Sequence, residues 1–403
     1  MSFKDLFSGI SGTESMDIIP DTQPVVVEQV VYSPEEAALI VNDRDVAIND
    51  TVVTQLTNVV DNTATAMEVL TDKVEELQTS IEGMESMRSG KVEFNAGLFA
   101  HHYNKAAKIS AQFGAKPQHL GAESFTSKDE LGQELLDGCE AFKDIAKKAG
   151  GKVKEMFIAL YNGFLDLFDK YIAGYKNLGQ RATTLLSQVT KDAKDMVAAD
   201  KVKLPAACAF VDDKGQASDI PQQVIALANG LKSIGSTAHP DDVMKAVDFA
   251  TKGILDLGKK SQMGTDETTD TYKVEFNDVH FTLVVPREVK GLDQLALKDI
   301  GTDSKAREVS GMAPNQLISL LKEIESYCKK LEAVDLSRKG LTTIRDNAIA
   351  RTNAGFEAKN VQNLHAGMLK LCKGVSELSG RSIKGQLAFV QAQISQSTKK
   401  KED

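Results

Sequence analysis

An unbroken heptad repeat near the N-terminus places the strongest constraint on the fold of this chain. The a and d positions span five heptads from residue 53 to residue 84, and nine of the ten are apolar. A period of 3.5 residues aligns them in one stripe along a helix, which has to pack against another helix. That helix can belong to the same domain, or to a second chain in a coiled coil or assembly tether. The heptad stripe consists of Val53, Leu56, Val60, Met67, Leu70, Val74, Leu77, Ile81 and Met84.

The charge of the chain changes sign close to the end of this stripe. The net charge of the 403 residues is −9, but residues 1–90 hold 17 acidic and four basic residues, a balance of −13. Residues 91–403 therefore carry +4. Residues 82–90 contain two glycines and several small polar residues, which predicts a break in the helix and the principal boundary of the chain.

The rest of the sequence predicts a mainly α body. Separate helices are expected over residues 129–148, 152–176 and 181–199, with Gly150-Gly151 ending the first. Long helices are also expected over 315–334 and 341–380, with a last one from Ile383. Alternation around Asn277-Asp278 predicts a small β-hairpin. The expected architecture is an acidic, coiled-coil-like N-terminal helix followed by a helical bundle with a minor β component.

Six segments describe the expected domain organisation. They are a flexible acidic leader (1–32), a helical, propeptide-like segment (33–85), a helical domain (86–270), a β-hairpin with a loop (271–312), long C-terminal helices (313–398) and a basic tail (399–403).

An aromatic stripe marks the helix expected at 152–176. Spacings of three and four residues place its six rings on one helix face, and a helix that is apolar nearly all round is typical of a buried core. The alternative is a membrane-active protein, such as a pore-forming toxin or a translocator, that inserts this helix. A membrane is not expected as a partner, since no uncharged apolar stretch reaches the ~18 residues of a spanning helix. The rings belong to Phe157, Tyr161, Phe164, Phe168, Tyr171 and Tyr175.

No motif in the sequence predicts catalysis, a cofactor or a metal. Residues 253–261 nearly fit a phosphate-binding loop, but Lys260 replaces the hydroxyl residue, and the position after a helical run is typical of a helix C-terminus. His101 and His102 have no accompanying ligand cluster. The four cysteines lack metal-type spacing and are expected to be reduced thiols. A non-enzymatic protein is therefore expected, and a helical enzyme is a third, less favoured class.

The C-terminal part of the chain carries an excess of positive charge. Residues 321–403 hold six more basic than acidic residues, and the basic ones include Lys399, Lys400 and Lys401. Such a segment can contact phosphate backbones non-specifically, although it lacks the interleaved aromatic residues of a base-stacking surface. A solvated helix face is the competing interpretation.

An acidic helical leader, a short segment rich in small residues and a slightly basic helical body together resemble the inner-head (internal virion) proteins of giant phiKZ-like tailed phages. The resemblance implies that the acidic segment directs packaging into the assembling head. A prohead protease then removes it after a small-x-Glu motif, and the mature protein stays inside with the DNA. Ser80-Ile81-Glu82 and Gly83-Met84-Glu85 match this motif at the charge boundary. The same motif also occurs before Glu14, Glu68 and Glu357.

The resemblance makes Glu82 and Glu85 the candidate cleavage positions. It implies synthesis in the host cytoplasm, a final location in the virion, and virion or scaffold proteins as partners of the N-terminal helix. Self-association is a further expectation. Cleavage after Glu85 would leave a body with a charge of +5, which tolerates a compartment dense in DNA better than an anionic protein does.

Overall fold

The described part of the chain is mainly α with a minor β component, which confirms the predicted fold class. The computed structural model describes residues 34–116, 133–194, 196–204, 208–211, 220–234, 240–303, 307–334, 338–351 and 357–399. The expected leader and residues 400–403 of the expected tail lie outside these ranges. The α-helices are α1 (Pro34–Ser89), α2 (Ala96–Gln112), α3 (Gln133–Asp192), α4 (Ile220–Ile234), α5 (Pro240–Leu255), α6 (Pro314–Glu332), α7 (Arg338–Ala350) and α8 (Ala358–Gln396).

The strands are short and antiparallel. In the described ranges they are β1 (Met196–Val197), β2 (Lys201–Leu204), β3 (Lys259–Thr265), β4 (Thr269–Phe276), β5 (Val279–Pro286), β6 (Ala296–Thr302), β7 (Arg307–Ser310) and β8 (Thr398–Lys399). They pair as β1–β8, as β2–β7, and as one four-stranded sheet in the order β3-β4-β5-β6.

Helix α1 continues through the segment where a break was predicted, so that prediction was wrong. The helix ends at Ser89, and Gly90 adopts a left-handed φ of 78°. The amide of Lys91 then donates to the Ser86 carbonyl at 3.0 Å, which closes the helix end. Gly83 serves packing instead, since a Cβ atom built there would lie 2.6 Å from Nε2 of His102 on α2.

Helix α3 likewise joins three helices that were predicted to be separate. It runs unbroken from Gln133 to Asp192, through Gly150 and Gly151. Apart from the adjacent residues and the backbone of the same helix turns, no described atom lies within 4 Å of a Cβ built at either glycine. A glycine inside a helix costs about 1 kcal/mol relative to alanine, and α3 tolerates this cost because its apolar face is packed on both sides of the glycine pair.

The chain divides into two compact units, and α1 and α3 contribute residues to each of them. The first unit includes the described residues 57–116 and 133–163. Here α1 and α3 run antiparallel, because Val60 faces Gly163 near one end and Met84 faces Cys139 near the other. Helix α2 packs on both, and the Tyr103 ring lies 5.1 Å from the Phe142 ring.

The second unit includes residues 34–56 and the described residues from 164 onward. Its centre is α8, which is buried on nearly all sides and packs against α4, α7 and the four-stranded sheet. A break was predicted in α8 after residue 380, and this was wrong, since the helix is continuous to Gln396. Gly367 and Gly374 let α8 approach the backbone carbonyls of Leu292 and Leu297.

The predicted β-hairpin is present as β4 and β5, with Asn277 in the left-handed region at φ 50°. It forms the middle of the four-stranded sheet rather than an isolated hairpin. Strand β6 lies in a segment that was predicted to be a loop. Strand β3 was not predicted because all seven of its residues are exposed and mostly polar, so it lacks the apolar alternation of a half-buried strand.

Candidate processing and assembly site

The heptad stripe is covered by helices of its own chain. In the first unit, the C-terminal part of the stripe, from Leu77 to Met84, packs against α2 and α3 in one core with Phe99, Tyr103 and Phe142. Thr63, which occupies the tenth and only polar position of the heptad repeat, is buried and donates its hydroxyl proton to the Val59 carbonyl at 2.8 Å. The structure therefore shows packing within the chain, the first of the two alternatives for the stripe. Buried members are Val60, Leu70, Val74, Leu77, Ile81 and Met84, and half-buried members are Val53, Leu56 and Met67.

The two candidate cleavage positions lie in the last two turns of α1. The side chains of Glu82 and Glu85 are exposed, and the Glu85 carboxylate accepts a charged contact from Lys143 of α3 at 2.7 Å. Most of their neighbours on α1 are buried: Ser80 and Met84 are each 1% exposed and Ile81 is 8% exposed, while Gly83 is half-buried. The carboxylates are thus accessible at the surface, while the backbone to be cut is part of a packed helix.

The surface around these positions is charged and open. Alongside Glu82 and Glu85, a shallow depression is lined by Arg88, Glu140 and Lys143. Hydrogen bonds to Glu140 and then to Glu85 raise the pKa of Lys143. These contacts hold the end of α1 on α3, so a protease that needs an extended chain reaches the backbone only after local opening.

Acidic residues of α1 that sequence analysis did not single out pair with cations of the body. In the second unit, Asp43 lies 3.2 Å from Arg181 of α3, and Asp50 forms a salt bridge with Lys384 of α8. Sequence gives the net charge of α1 but not the identity of its partners. The acidic charge of this helix is therefore partly matched inside its own chain.

The aromatic stripe is part of the core. Five of its rings are buried and Phe157 is half-buried. The hydroxyl of Tyr175 donates to the Ser376 carbonyl at 3.0 Å, and burial raises the pKa of Tyr175. In the described part of the chain, none of the helices has the length and hydropathy needed to cross a bilayer. The core interpretation is supported, and a membrane-inserting helix is not favoured.

Some basic residues of the C-terminal part contact neighbouring groups. Arg381 pairs with Glu377, Arg345 with Asp346, and Lys370 donates to the Asp293 carbonyl. Lys384 forms the salt bridge with Asp50. Other described lysines of this part have exposed side chains, among them Lys322, Lys330 and Lys339.

Residues 253–261 do not have the geometry of a phosphate-binding loop. They run from α5 into β3, whereas such a loop runs from a strand into a helix. The segment contains the C-terminus of α5 at Leu255, as predicted, and Lys259 and Lys260 begin β3. Burial raises the pKa of Cys328 and of Cys372 to about 12, and all four cysteines are buried free thiols.

The described part of the chain is mainly helical, and its acidic helix α1 packs on α2 and α3. The chain belongs to the family of phiKZ-like phage internal head proteins, whose family model matches residues 45–395. The match begins inside α1 and ends near the C-terminus of α8, and it confirms the resemblance noted from the sequence. Neither the curated proteins nor the solved structures contain a match to this chain.

Proposed function

We propose that this protein is packaged inside the phage head as a non-enzymatic structural protein and that its acidic N-terminal segment is the assembly signal. The family match over residues 45–395 is the observation that carries this proposal. In the first unit, α1 and α3 pack antiparallel and share one apolar core with α2, and this helical packing agrees with a structural role.

The outer face of α1 supports a contact with other virion or scaffold proteins. In the second unit, Ile40, Val41 and Ile48 are 49%, 56% and 54% exposed. Apolar side chains that stay exposed on a helix are a common component of protein interfaces. The stripe on the inner face is already covered, so the outer face is the part of α1 through which it would contact a partner.

Cleavage after Glu82 or Glu85 by a prohead protease is the second part of the proposal. Both bonds lie in packed helix, and the removed segment would contain core residues such as Leu70 and Leu77. Cleavage there would act before the first unit folds, or on a chain whose α1 has opened locally. If the unit has already folded, the cut leader stays bound through the same core contacts.

Mapping the N-terminus of the protein in mature particles tests this proposal. Mass spectrometry of purified DNA-filled heads should find an N-terminus at Gly83 or Ser86, and a phage carrying Glu82→Gln with Glu85→Gln should keep the longer chain. The matched control carries Glu75→Gln with Glu76→Gln, which lie on the same helix outside the motif.

Three outcomes would contradict separate parts of the proposal. A chain in the particle that continues uncut through Glu82 and Glu85 would refute cleavage at these positions. A body that begins directly after Glu14 would show that the cleavage occurs there instead. Absence of the protein from DNA-filled heads would refute packaging itself.

A further inference from the structure

A second row of apolar residues follows the outer side of α1 in the second unit. Val41 and Ile48 are 56% and 54% exposed, and Val52 is half-buried. Val52 directly precedes Val53 of the heptad stripe, so the two rows lie about 100° apart around the helix. The row is called the outer seam here, and with its polar positions it consists of Val41, Asp45, Ile48, Val52 and Gln55.

The outer seam has the spacing of a surface that packs against a helix. Its members follow one another at steps of four and three residues, which is the a/d pattern of a coiled coil. The heptad stripe of the same helix has this pattern too, and its C-terminal part is packed against α2 and α3. An exposed row with this period therefore fits another helix as its partner.

Two adjacent residues of opposite charge lie at the middle of the outer seam. Arg44 and Asp45 are both exposed. Asp45 belongs to the seam, and Arg44 lies about 100° away around the helix, on one flank. In two copies of α1 that pack in parallel and in register, opposite flanks meet, so each Arg44 lies beside the Asp45 of the other copy. In an antiparallel pair like flanks meet, and the flank that carries Arg44 has no acidic residue between residues 37 and 55.

The neighbouring acidic residues of α1 do not oppose such a pairing. Asp43 lies 3.2 Å from Arg181, and Asp50 forms a salt bridge with Lys384. Each of these acids is two residues from its nearest seam members, which places it about 200° around the helix, on the far side. An acidic helix would repel a copy of itself if its charges bordered the contact, but here two of them are neutralised within the chain and lie away from it.

We propose that the outer seam joins two copies of this chain through a parallel, in-register contact between their α1 helices. Such a pair buries Val41, Ile48 and Val52 against their own counterparts, and the side-chain amides of the two Gln55 residues can hydrogen-bond each other. The reciprocal Arg44–Asp45 contacts set the register and the direction more than they add affinity. The inference rests on the proposed assembly role of the outer face of α1, for which it specifies the partner.

Sedimentation velocity of the full chain between about 1 and 100 µM measures this self-association. The seam variant carries Val41→Gln with Ile48→Gln. The matched control carries Phe249→Gln with Met263→Gln, whose side chains are 79% and 64% exposed outside α1. The wild type and the control should form a dimer over this range, and the seam variant should associate at least about tenfold more weakly. Far-UV circular dichroism checks that both variants keep their helical content.

Charge variants test the reciprocal contacts. Arg44→Glu and Asp45→Arg should each weaken self-association at least about threefold, because each places like charges together across the seam. An equimolar mixture of the two variants should recover the wild-type affinity, since each chain then supplies the charge that the other lacks.

A single cysteine on the seam tests the direction and the register. The four native cysteines are buried, so a new exposed thiol can be followed in the full chain. With oxidised glutathione as the oxidant, Gln55→Cys should give a disulfide-linked dimer, because an in-register parallel pair brings this position next to its own counterpart. Thr54→Cys, which is exposed and one residue away on the same helix, is the matched control and should give little.

A full chain that stays monomeric up to about 100 µM would overturn the inference, and so would equal association of the seam variant and its control. Cross-linking through Thr54→Cys in preference to Gln55→Cys would refute the parallel, in-register pair. These measurements use purified protein, so they leave packaging and cleavage to be decided by analysis of particles.

Discussion

The glycines inside the long helices of the first unit should respond to alanine substitution with opposite signs. Gly151 of α3 has open space where a Cβ would be placed, so Gly151→Ala should gain the helix propensity of alanine, about 1 kcal/mol. Gly83 of α1 has the His102 ring at 2.6, 2.8 and 2.9 Å from the same position. Gly83→Ala makes the same gain but has to displace that ring.

At Gly83, the free-energy cost of displacing the His102 ring is expected to exceed the gain in helix propensity. Inserting a methyl group into a packed site costs about 1 to 3 kcal/mol, so the net change should be a loss of up to about 2 kcal/mol. The His102 side chain is half-buried, so the ring has to shift away from α1 to make room for the methyl group. Since the chain contains no tryptophan, urea denaturation followed by far-UV circular dichroism is the suitable assay.

A double variant tests whether the His102 ring causes the loss of stability, or whether α1 tolerates no substitution at Gly83. In a His102→Ala background the ring is absent, so Gly83→Ala should become neutral or stabilising. The coupling between the two positions should therefore be at least about 1 kcal/mol. If Gly83→Ala stabilises the wild type as much as Gly151→Ala does, or destabilises both backgrounds equally, the close-approach explanation is refuted.

Two further predictions concern α8. The side-chain amide of Gln393 is fully buried; it accepts a hydrogen bond from the backbone N–H of Met312 at 2.8 Å and donates one to the Met312 carbonyl. Gln393→Leu should therefore cost about 2 to 4 kcal/mol, measured by urea denaturation, because it leaves both backbone groups of Met312 without a hydrogen bond. The matched control is Gln396→Leu, which removes the same pair of bonds to Lys203 at an exposed position and should cost less than about 1 kcal/mol. Burial, followed by the charge of Arg345, lowers the pKa of His365 to about 4. Between about pH 6.5 and pH 4 the unfolded state therefore binds a proton that the folded state does not, so the free energy of unfolding should fall by about 3 kcal/mol as the pH drops through that range. A His365→Gln variant that loses as much stability over the same range would contradict this assignment.

The periodicity of the sequence predicted the buried faces of the helices better than it predicted where the helices begin and end. The heptad stripe and the aromatic stripe both identified buried sides of long helices, because a face follows directly from spacing. The identity of the packing partner did not follow, since an apolar stripe fits a helix of its own chain as well as one of another chain. Only the three-dimensional arrangement shows Leu77 and Met84 against Phe99 of α2.

Glycine was the main source of wrong boundaries. Gly83, Gly150 and Gly151 were interpreted as helix breakers, yet each lies inside a continuous helix. A glycine costs only about 1 kcal/mol in a helix, which the burial of one or two large apolar side chains offsets. Gly90 is different, because its left-handed φ is a conformation that other residues rarely adopt.

The charge split along the sequence has a different consequence in the folded chain than in the linear one. By sequence, the body becomes cationic only when the acidic leader is removed, so contact with DNA would depend on cleavage. In the structure, α1 acids such as Asp43 and Asp50 are matched by Arg181 and Lys384. At physiological salt, charges separated by more than about 8 Å are largely screened, so a phosphate backbone responds to the immediate partners of a cation more than to the distant net charge. The effect of cleavage on any DNA contact would therefore depend on whether the leader, once cut, leaves Arg181 and Lys384, and not on the net charge of the body alone.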